Sequence, residues 1–495
     1  MMDHTNRSDT ARSDTARSDT GGSGTEQYVE ELFEWLQGGL RGAEVLLANF
    51  AGEDADFVRF NRGSIRQAGS VSQRSATLEL IEGARHARCF VQLAGEPVAD
   101  RARLERARSQ LRDQLPLLPE DPYLLYNTED LSPRRRVDQP ALPHPDEALE
   151  AIAHAGRGGD LVGVYASGSS LAGFASSLGQ RHWHEVGTFN LDWSFHLPGQ
   201  APAPGSDHAT GHAPGHAPGH APGQQRSGLD RAVKHSYAGQ HWSDSEFQQQ
   251  LAWSIRQLEV LHRDPIDLGP GKYRALLAPA AMVELTDMLS WGGFGLRAQR
   301  TRQSPLLRLL MGEAAFAPQV RIVEDTAAGM APAFGPEGFP KPDKVVLVDG
   351  GQLAGSLVSP RSAREFDVPT NGAGSWEAPQ SISLAPGQLA SANALEELGT
   401  GLFVGNLWYL NFSDRAACRT TGMTRFATFW VERGQLVAPV NVLRFDDSLF
   451  DLLGDKLVGL TDRAEVMLDP SSYGARSTSS SRVPSALVEE MTFTL

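Results

Sequence analysis

Glycine and proline divide the second half of the sequence into short apolar runs, and this spacing limits the folds open to the chain. After Gly269, one strand-like and one helix-like stretch are followed by short runs such as Lys344–Val348, Phe403–Val404 and Phe426–Val431. Runs of this length between glycines and prolines are typical of strands joined by turns. Residues 269–495 are therefore predicted to form a mostly-β domain with a curved, barrel-like antiparallel sheet.

Helical and strand periodicities alternate in residues 25–268. Leu32 and Leu36 fall on one face of a predicted helix, whereas Ala76–Leu80 and Ala87–Leu93 have the composition of strands ended by turns. This mixture predicts an N-terminal α/β domain with an antiparallel sheet. The whole chain is accordingly predicted to be α+β with two domains.

Further elements of the N-terminal domain follow from proline and serine positions. Helices are predicted at Pro97–Leu115, at Pro145–Ala155 and from Ser243 or Ser245 to about His262, with both serines as N-cap candidates. A turn is predicted at Ser167–Gly168, between two short apolar runs.

Two segments have compositions that oppose regular structure. Residues 1–24 contain a repeat of Arg-Ser-Asp-Thr-Ala, and residues 198–228 contain repeats of His-Ala-Pro-Gly. Neither repeat can bury enough apolar surface to offset the entropy of ordering. We expect a disordered N-terminal repeat and a low-complexity insertion at the tip of a β-hairpin. His212, His216 and His220 could bind Ni²⁺ or Zn²⁺ weakly, although a neutral flexible linker is the favoured interpretation.

Charge and cysteine content exclude some classes of protein. The formal net charge is −15, and the only basic cluster is Arg134–Arg136, so a nucleic-acid groove is not expected. The two cysteines, Cys89 and Cys418, are far apart in sequence and favour a reducing compartment. The sequence has no apolar stretch of membrane-spanning length and no secretory signal. These observations predict a cytoplasmic protein without membrane association.

One short passage offers metal-ligand chemistry. His182 and His184 are two residues apart, so on a strand both would lie on the same face, with Glu185 on the other. Such a pair could chelate a metal ion. The favoured interpretation is instead the polar face of an antiparallel strand.

Three passages carry a resemblance to a known family. They are Tyr273–Ala281, Phe334–Pro340 and Phe429–Val440. In this order they resemble the TldD/PmbA family of peptidase-related proteins, and the resemblance extends from about residue 25 onward. It implies an α/β domain beside a mostly-β domain, and two subunits that enclose a chamber in which unfolded peptides are cut at the zinc of a catalytic subunit.

The zinc-binding motif of that family is missing from this chain. In the zinc-binding members, the helix after the first passage carries His-Glu-x-x-x-His, and a cysteine near the C-terminus is the third ligand. Here Val283–Gly293 contains no histidine, and no cysteine follows Cys418. The resemblance therefore implies the metal-free branch of the family: no catalytic or metal-binding residue and no cofactor on this chain, with zinc on a TldD-like partner subunit. The implied role is to complete the chamber and hold the peptide as an extended strand.

The resemblance also points to a set of loop residues. Related chains carry acidic residues near Glu324 and Asp325 and an Asp/Glu-Glu-Gly element near Glu337 and Gly338. The segment between them is rich in Gly, Ala and Pro and is predicted to be a loop over a cleft. A peptide-contact or interface role and simple turn chemistry remain equally open. Asn371 is added as a candidate because Thr370–Ala373 matches a family position, although the residue order is changed.

Two other functions remain open. The first is a self-sufficient, homodimeric protein that binds peptides or a modified precursor without hydrolysing them. The second is a divergent enzyme that uses the His182 and His184 pair.

Overall fold

The computed structural model describes residues 23–138, 141–143, 145–156, 159–197, 232–471 and 474–494. Most of the predicted N-terminal repeat and the whole His-Ala-Pro-Gly insertion, with His212, His216 and His220, lie outside the described residues. The first helix begins at Ser23, two residues before the predicted start of the ordered chain.

The N-terminal part contains four helices and seven strands among the described residues. The helices are α1 (Ser23–Gln37), α2 (Pro97–Gln114), α3 (Pro145–Ala155) and α4 (Asp244–Leu261). The strands are β1 (Val45–Asn61), β2 (Ser64–Glu82), β3 (Arg85–Leu93), β4 (Arg135–Val137), β5 (Asp160–Ser176), β6 (Arg181–His196) and β7 (Ala232–Gly239). Helix α4 is capped as predicted, because the Ser243 hydroxyl accepts a hydrogen bond from the backbone N–H of Glu246 at 3.3 Å.

These strands form one sheet in the order β3-β2-β1-β5-β6, with β4 and β7 both paired to β6. All pairs are antiparallel except β4 with β6. The prediction of an α/β domain with an antiparallel sheet is confirmed. Strands β6 and β7 form a hairpin, and the low-complexity insertion lies between them in sequence.

The two faces of this sheet differ in composition because side chains alternate along each strand. One face buries apolar side chains such as Phe50, Leu78 and Trp183 in a core that includes residues of α1 and α2. The opposite face, here named the inner face, presents polar and small side chains toward the C-terminal domain and, near Phe334, large apolar ones. Its central members are Ala51, Ser170, Ala172, His182 and His184.

The predicted turn at Ser167–Gly168 is wrong. Strand β5 runs without interruption through both residues, and the chain turns only after Ser176. Gly168 has φ +148°, and a Cβ added there would lie 2.1 Å from the carbonyl oxygen of Asp54 on the neighbouring strand. Glycine is therefore required by a close approach of two strands and not by a turn.

The C-terminal part is built mainly from short strands. The strands are β8 (Gly271–Leu277), β9 (Ile322–Glu324), β10 (Val345–Asp349), β11 (Gln352–Leu353), β12 (Ser381–Leu384), β13 (Gly401–Asp414), β14 (Arg419–Glu432), β15 (Gln435–Pro439), β16 (Arg444–Ser448), β17 (Leu457–Leu468) and β18 (Ser480–Phe493). The helices are α5 (Pro279–Ser290), α6 (Leu296–Arg300), α7 (Leu307–Leu310), α8 (Pro360–Phe366), α9 (Ala394–Leu398) and α10 (Leu449–Leu452).

These strands form a large eleven-stranded sheet, which confirms the mostly-β prediction but is not a closed barrel, and its antiparallel pairing has two exceptions. The β12–β18 and β8–β13 pairs are parallel. Strand β18 pairs with β8, β12 and β17 but meets β16 only at Phe445 and Phe493. The sheet therefore bends back on itself without closing into a barrel.

Helix α5 packs against this sheet and anchors the largest core. Pro279 begins the helix, where its missing N–H costs no helical hydrogen bond. Met282, Leu285 and Leu289 are fully buried in a cluster that includes residues of β8, β13 and β18. Nowhere in the described ranges is a helix both long and apolar enough to cross a membrane.

Gly168→Ala should destabilise the protein by about 3 kcal/mol, because alanine is strained at this φ and its Cβ would overlap the Asp54 carbonyl. Gly69→Ala is the matched control, because Gly69 lies in an exposed part of β2 and a Cβ there meets no atom within 4 Å. Urea unfolding of both variants measures the difference. Equal stabilities would show that β5 does not need glycine.

Candidate functional site

Residues 326–340, here named the docking loop, leave the C-terminal domain and lie on the inner face of the N-terminal sheet. Carbonyl groups of the loop accept hydrogen bonds from N-terminal side chains. These bonds are Asn49 Nδ2 to Pro336 O (2.9 Å), Arg136 Nη1 to Gly329 O (2.6 Å), Asn127 Nδ2 to Gly338 O (2.9 Å), His182 Nε2 to Gly338 O (3.1 Å) and His184 Nε2 to Met330 O (3.0 Å). Because buried carbonyls need donors, the polar inner face fixes the position of the loop.

Gly338 is held tightly between the domains. Its φ is +82°, and a Cβ there would lie 2.5 Å from the Phe174 ring. The His182 ring stacks between Phe174 and Phe334, with centroid distances of 5.6 and 5.1 Å. The turn chemistry that the sequence suggested for Gly338 is therefore present, and it serves the contact between the two domains.

Glu337 belongs to a charged network beside this contact. Its Oε1 lies 3.5 Å from Arg88 Nη2, and Arg88 Nε donates to Glu79 Oε2 at 2.9 Å. Glu79 Oε1 is 2.6 Å from His86 Nδ1, and His86 Nε2 is 3.4 Å from Asp121. The network ties β2 and β3 to the docking loop.

Two pKa values in this network are shifted. The hydrogen bond to Glu79 raises the pKa of His86 above its usual 6.5. Burial raises the pKa of Glu337, against the opposing effect of Arg88. Oε2 of Glu337 is buried and has no hydrogen-bond partner among the described residues, which agrees with a carboxyl group that gains a proton more readily than usual.

Glu324, Asp325 and Asn371 have hydrogen-bond or ion-pair partners different from those of Glu337 and Gly338. The Glu324 carboxylate accepts the backbone N–H of Ser381 at 3.0 Å, and Asn371 Oδ1 accepts that of Val358 at 2.9 Å. Both residues line a cavity of about 10 Å³, which holds about one water molecule. Asp325 pairs with Lys344 at 3.0 Å and caps a turn. Glu324 and Asn371 thus share one small cavity, whereas Glu337 and Gly338 contact the N-terminal domain, and a peptide-contact role for the five predicted residues stays a prediction.

A larger cleft lies between the inner face and the C-terminal domain. Its volume is about 590 Å³, within the range of ligand sites. We name it the interdomain cleft. Ala51, Ser170, Ala172 and His184 form its floor, and Phe90 lines it with 65% of its surface exposed.

Arg476 and Pro332 line the cleft from the C-terminal domain. The backbone N–H of Arg476 donates to Glu53 at 2.8 Å. Its guanidinium donates to the carbonyl groups of Gly168 and Thr188 at 3.2 and 3.0 Å. Arg476 therefore holds its segment against the sheet.

Sequence reasoning missed Ser170, Phe90 and Arg476 as residues of this cleft. The alternation along β3 and β5 could have placed Phe90 and Ser170 on one face. No signal in the sequence could have brought Arg476 to them across several hundred residues.

His182 and His184 share the inner face, but they serve other purposes than a shared metal site. His182 Nδ1 accepts the backbone N–H of Arg134 at 3.0 Å, so both ring nitrogens of His182 are engaged. His184 donates through Nε2, and burial lowers its pKa to about 4. Glu185 lies on the opposite face of β6. Within the described residues no three His, Cys, Asp or Glu side chains are grouped to hold a metal ion.

The residues of α5 do not fit the zinc site found in the zinc-binding members of the family that the sequence resembles. When the motif is aligned on Glu284, Val283 and Met288 stand at the two histidine positions. Valine has no donor atom, and Met288 is buried in the core. Cys418 is buried in the core as well, and this burial raises the pKa of its thiol to about 12.

A family model described as the PmbA/TldA metallopeptidase C-terminal domain matches residues 270–495. None of the curated proteins matches the chain.

Solved structures share the fold over nearly the whole chain. TldE from Thermococcus kodakarensis is 14% identical with a TM-score of 0.72, over 94% of this chain and 100% of that one. A protein of Thermotoga maritima, described as a proposed modulator of a DNA gyrase, is 15% identical with a TM-score of 0.68, over 95% and 100%. A Bacteroides thetaiotaomicron protein with a similar description is 15% identical with a TM-score of 0.67, over 95% and 99%. At these identities the likeness is one of fold.

Gly338→Ala should weaken the contact between the domains. Gly95→Ala is the matched control, because Gly95 also has positive φ (+78°) but a Cβ there meets no atom within 4 Å. The overlap with Phe174 should make the Gly338 variant less stable than the Gly95 variant by about 1–3 kcal/mol. Urea unfolding gives the difference, and limited proteolysis should show earlier cleavage in the docking loop. Equal behaviour of the two variants would contradict tight packing at Gly338.

His86→Gln should remove a pH-dependent part of the stability. Since the folded-state pKa of His86 is raised above 6.5, its contribution is complete below pH 6.5 and is lost as the pH rises through the folded-state value. Unfolding free energies measured on both sides of pH 6.5 should therefore decline less in the variant than in the wild type. His154→Gln, on the exposed side of α3, should keep the wild-type slope. An unchanged slope in His86→Gln would rule out this contribution.

Proposed function

Because this chain belongs to the TldD/PmbA family, we propose that it is a non-catalytic subunit of a metallopeptidase pair. In this proposal a TldD-like partner carries the zinc ion and cleaves unfolded peptides. The present chain completes the enclosure and positions the peptide, and the pair works in the cytoplasm.

The observation that carries the proposal is the composition of α5. A hydrolytic zinc site needs three protein ligands and an open position for water. Helix α5 offers Val283 and Met288 where the motif of the zinc-bearing relatives has histidines. Glu284 therefore has no zinc-bound water to act on, and hydrolysis has to take place on another subunit.

Exposed apolar side chains support pairing with a partner. Trp408 and Met423 lie opposite each other on β13 and β14, each 37% exposed, and Tyr409 beside them is 70% exposed. Aromatic residues and methionine are enriched in protein interfaces.

The test is to mix the purified chain with a zinc-bearing relative from the same organism and to measure cleavage of an unfolded peptide. Activity that is much higher in the mixture than in either protein alone is the expected result. Zinc bound stoichiometrically to the present chain alone would contradict the proposal. A stable, zinc-free homodimer that does not change the activity of the relative would favour the self-sufficient peptide-binding protein.

Glu284→Gln should leave the activity of the mixture within about twofold of the wild type, because Glu284 has no adjacent metal ligands. The matched change at the glutamate of the His-Glu-x-x-x-His motif in the relative should reduce the rate by at least about a hundredfold, because that glutamate is the general base. Initial rates of peptide cleavage measure both effects. A comparable loss in the Glu284→Gln mixture would place catalysis on the present chain.

A further inference from the structure

We propose that the interdomain cleft binds an extended, uncharged peptide segment through its backbone. His184 Nδ1 accepts a peptide N–H, and the Ser170 hydroxyl donates to a peptide carbonyl. This inference rests on the proposed function, because it assigns the peptide a site on the non-catalytic subunit.

Two residues that line the cleft each have a buried polar atom without a partner among the described residues. His184 is 1% exposed and Ser170 is 7% exposed, and both line the cleft. His184 Nδ1 and Ser170 Oγ have no hydrogen-bond partner within the described chain. A buried polar atom without a partner is costly, so a ligand that supplies the missing partners gains affinity from both.

The chemistry of the two atoms defines the ligand. His184 Nε2 lies 3.0 Å from the Met330 carbonyl, which can only accept, so Nε2 carries the proton and Nδ1 is an acceptor. Burial keeps this ring neutral near pH 7. The Ser170 hydroxyl has a proton to donate. The ligand must therefore present one N–H donor and one acceptor, as a peptide backbone does.

The distance between Ser170 and His184 also suits an extended peptide. In the register of β5 and β6, Ala172 lies opposite His184 and Ser170 opposite Val186. Ser170 and His184 are thus diagonal neighbours on one face, and such positions are about 7–8 Å apart. Backbone groups that point to the same side of an extended peptide recur every two residues, about 7 Å apart.

The charge and the shape of the interdomain cleft favour an uncharged peptide segment. Arg74 donates to Asp54 and to the Glu53 carbonyl, and the Arg476 guanidinium donates to Gly168 and Thr188, so both arginines at the cleft are engaged within the chain. The small floor residues Ala51 and Ala172 leave room for a backbone.

The test measures binding of a short, fluorescein-labelled peptide of alanine, serine and valine with blocked ends to the full chain, by fluorescence anisotropy. Ser170→Ala and His184→Phe should each weaken binding about tenfold, the effect of one lost hydrogen bond of about 1.4 kcal/mol. Ser64→Ala, at an exposed position of β2, is the matched control and should bind like the wild type. Unchanged affinity in folded Ser170→Ala and His184→Phe variants would overturn the proposal.

A second measurement uses the wild-type chain and does not depend on the folding of any variant. The same peptide N-methylated at every residue has lost all its backbone donors, so it should bind at least about tenfold more weakly. Equal binding of both peptides, or no binding of either, would overturn the proposal. Neither result bears on activation of the zinc-bearing relative by this chain, so failure of the peptide site and failure of the proposed function can be told apart.

Discussion

The buried carbonyl groups of the docking loop constrain the rest of the structure, because each needs a donor from the N-terminal domain. Gly338 O receives two such donors, Asn127 and His182, and Met330 O receives His184. The inner face must therefore carry polar donors beside the apolar side chains that pack against Phe334, whereas the opposite face is an ordinary apolar core. Small residues between the donors, such as Ala51 and Ala172, then leave the interdomain cleft open. One requirement therefore explains both how the domains are joined and why they leave a cleft between them.

Local sequence patterns predicted much of the fold. Helix α3 has the predicted bounds, Ser243 is one of the two serines predicted to cap α4, and a turn separates the strands β2 and β3 as expected. The errors came from interactions between distant strands. Gly168 was interpreted as a turn because its need for glycine arises from Asp54 on another strand. The short apolar runs of the C-terminal domain suggested a barrel, but the partners of β18 are set by tertiary packing.

The candidate site was predicted in separate pieces. Gly338 was singled out as a loop residue and His182 as a residue of a polar strand face, and the structure joins them by a hydrogen bond across the domain boundary. Nothing in either local sequence indicates the other. The interdomain cleft likewise depends on Arg476, which reaches the sheet from the far end of the chain. Residue types and periodicities were thus readable from sequence, whereas the meeting of the two domains required the structure.

Because of the histidines at the domain boundary, the stability of the folded protein falls both when the pH is lowered and when it is raised. Burial lowers the pKa of His182 and His184, so below pH 6.5 the unfolded chain takes up protons at these imidazoles before the folded chain does, and stability falls with acid. The hydrogen bond to Glu79 raises the pKa of His86, so above pH 6.5 stability falls with base. Acid and alkali therefore both lower the free energy of unfolding, and they do so through different imidazoles at one boundary.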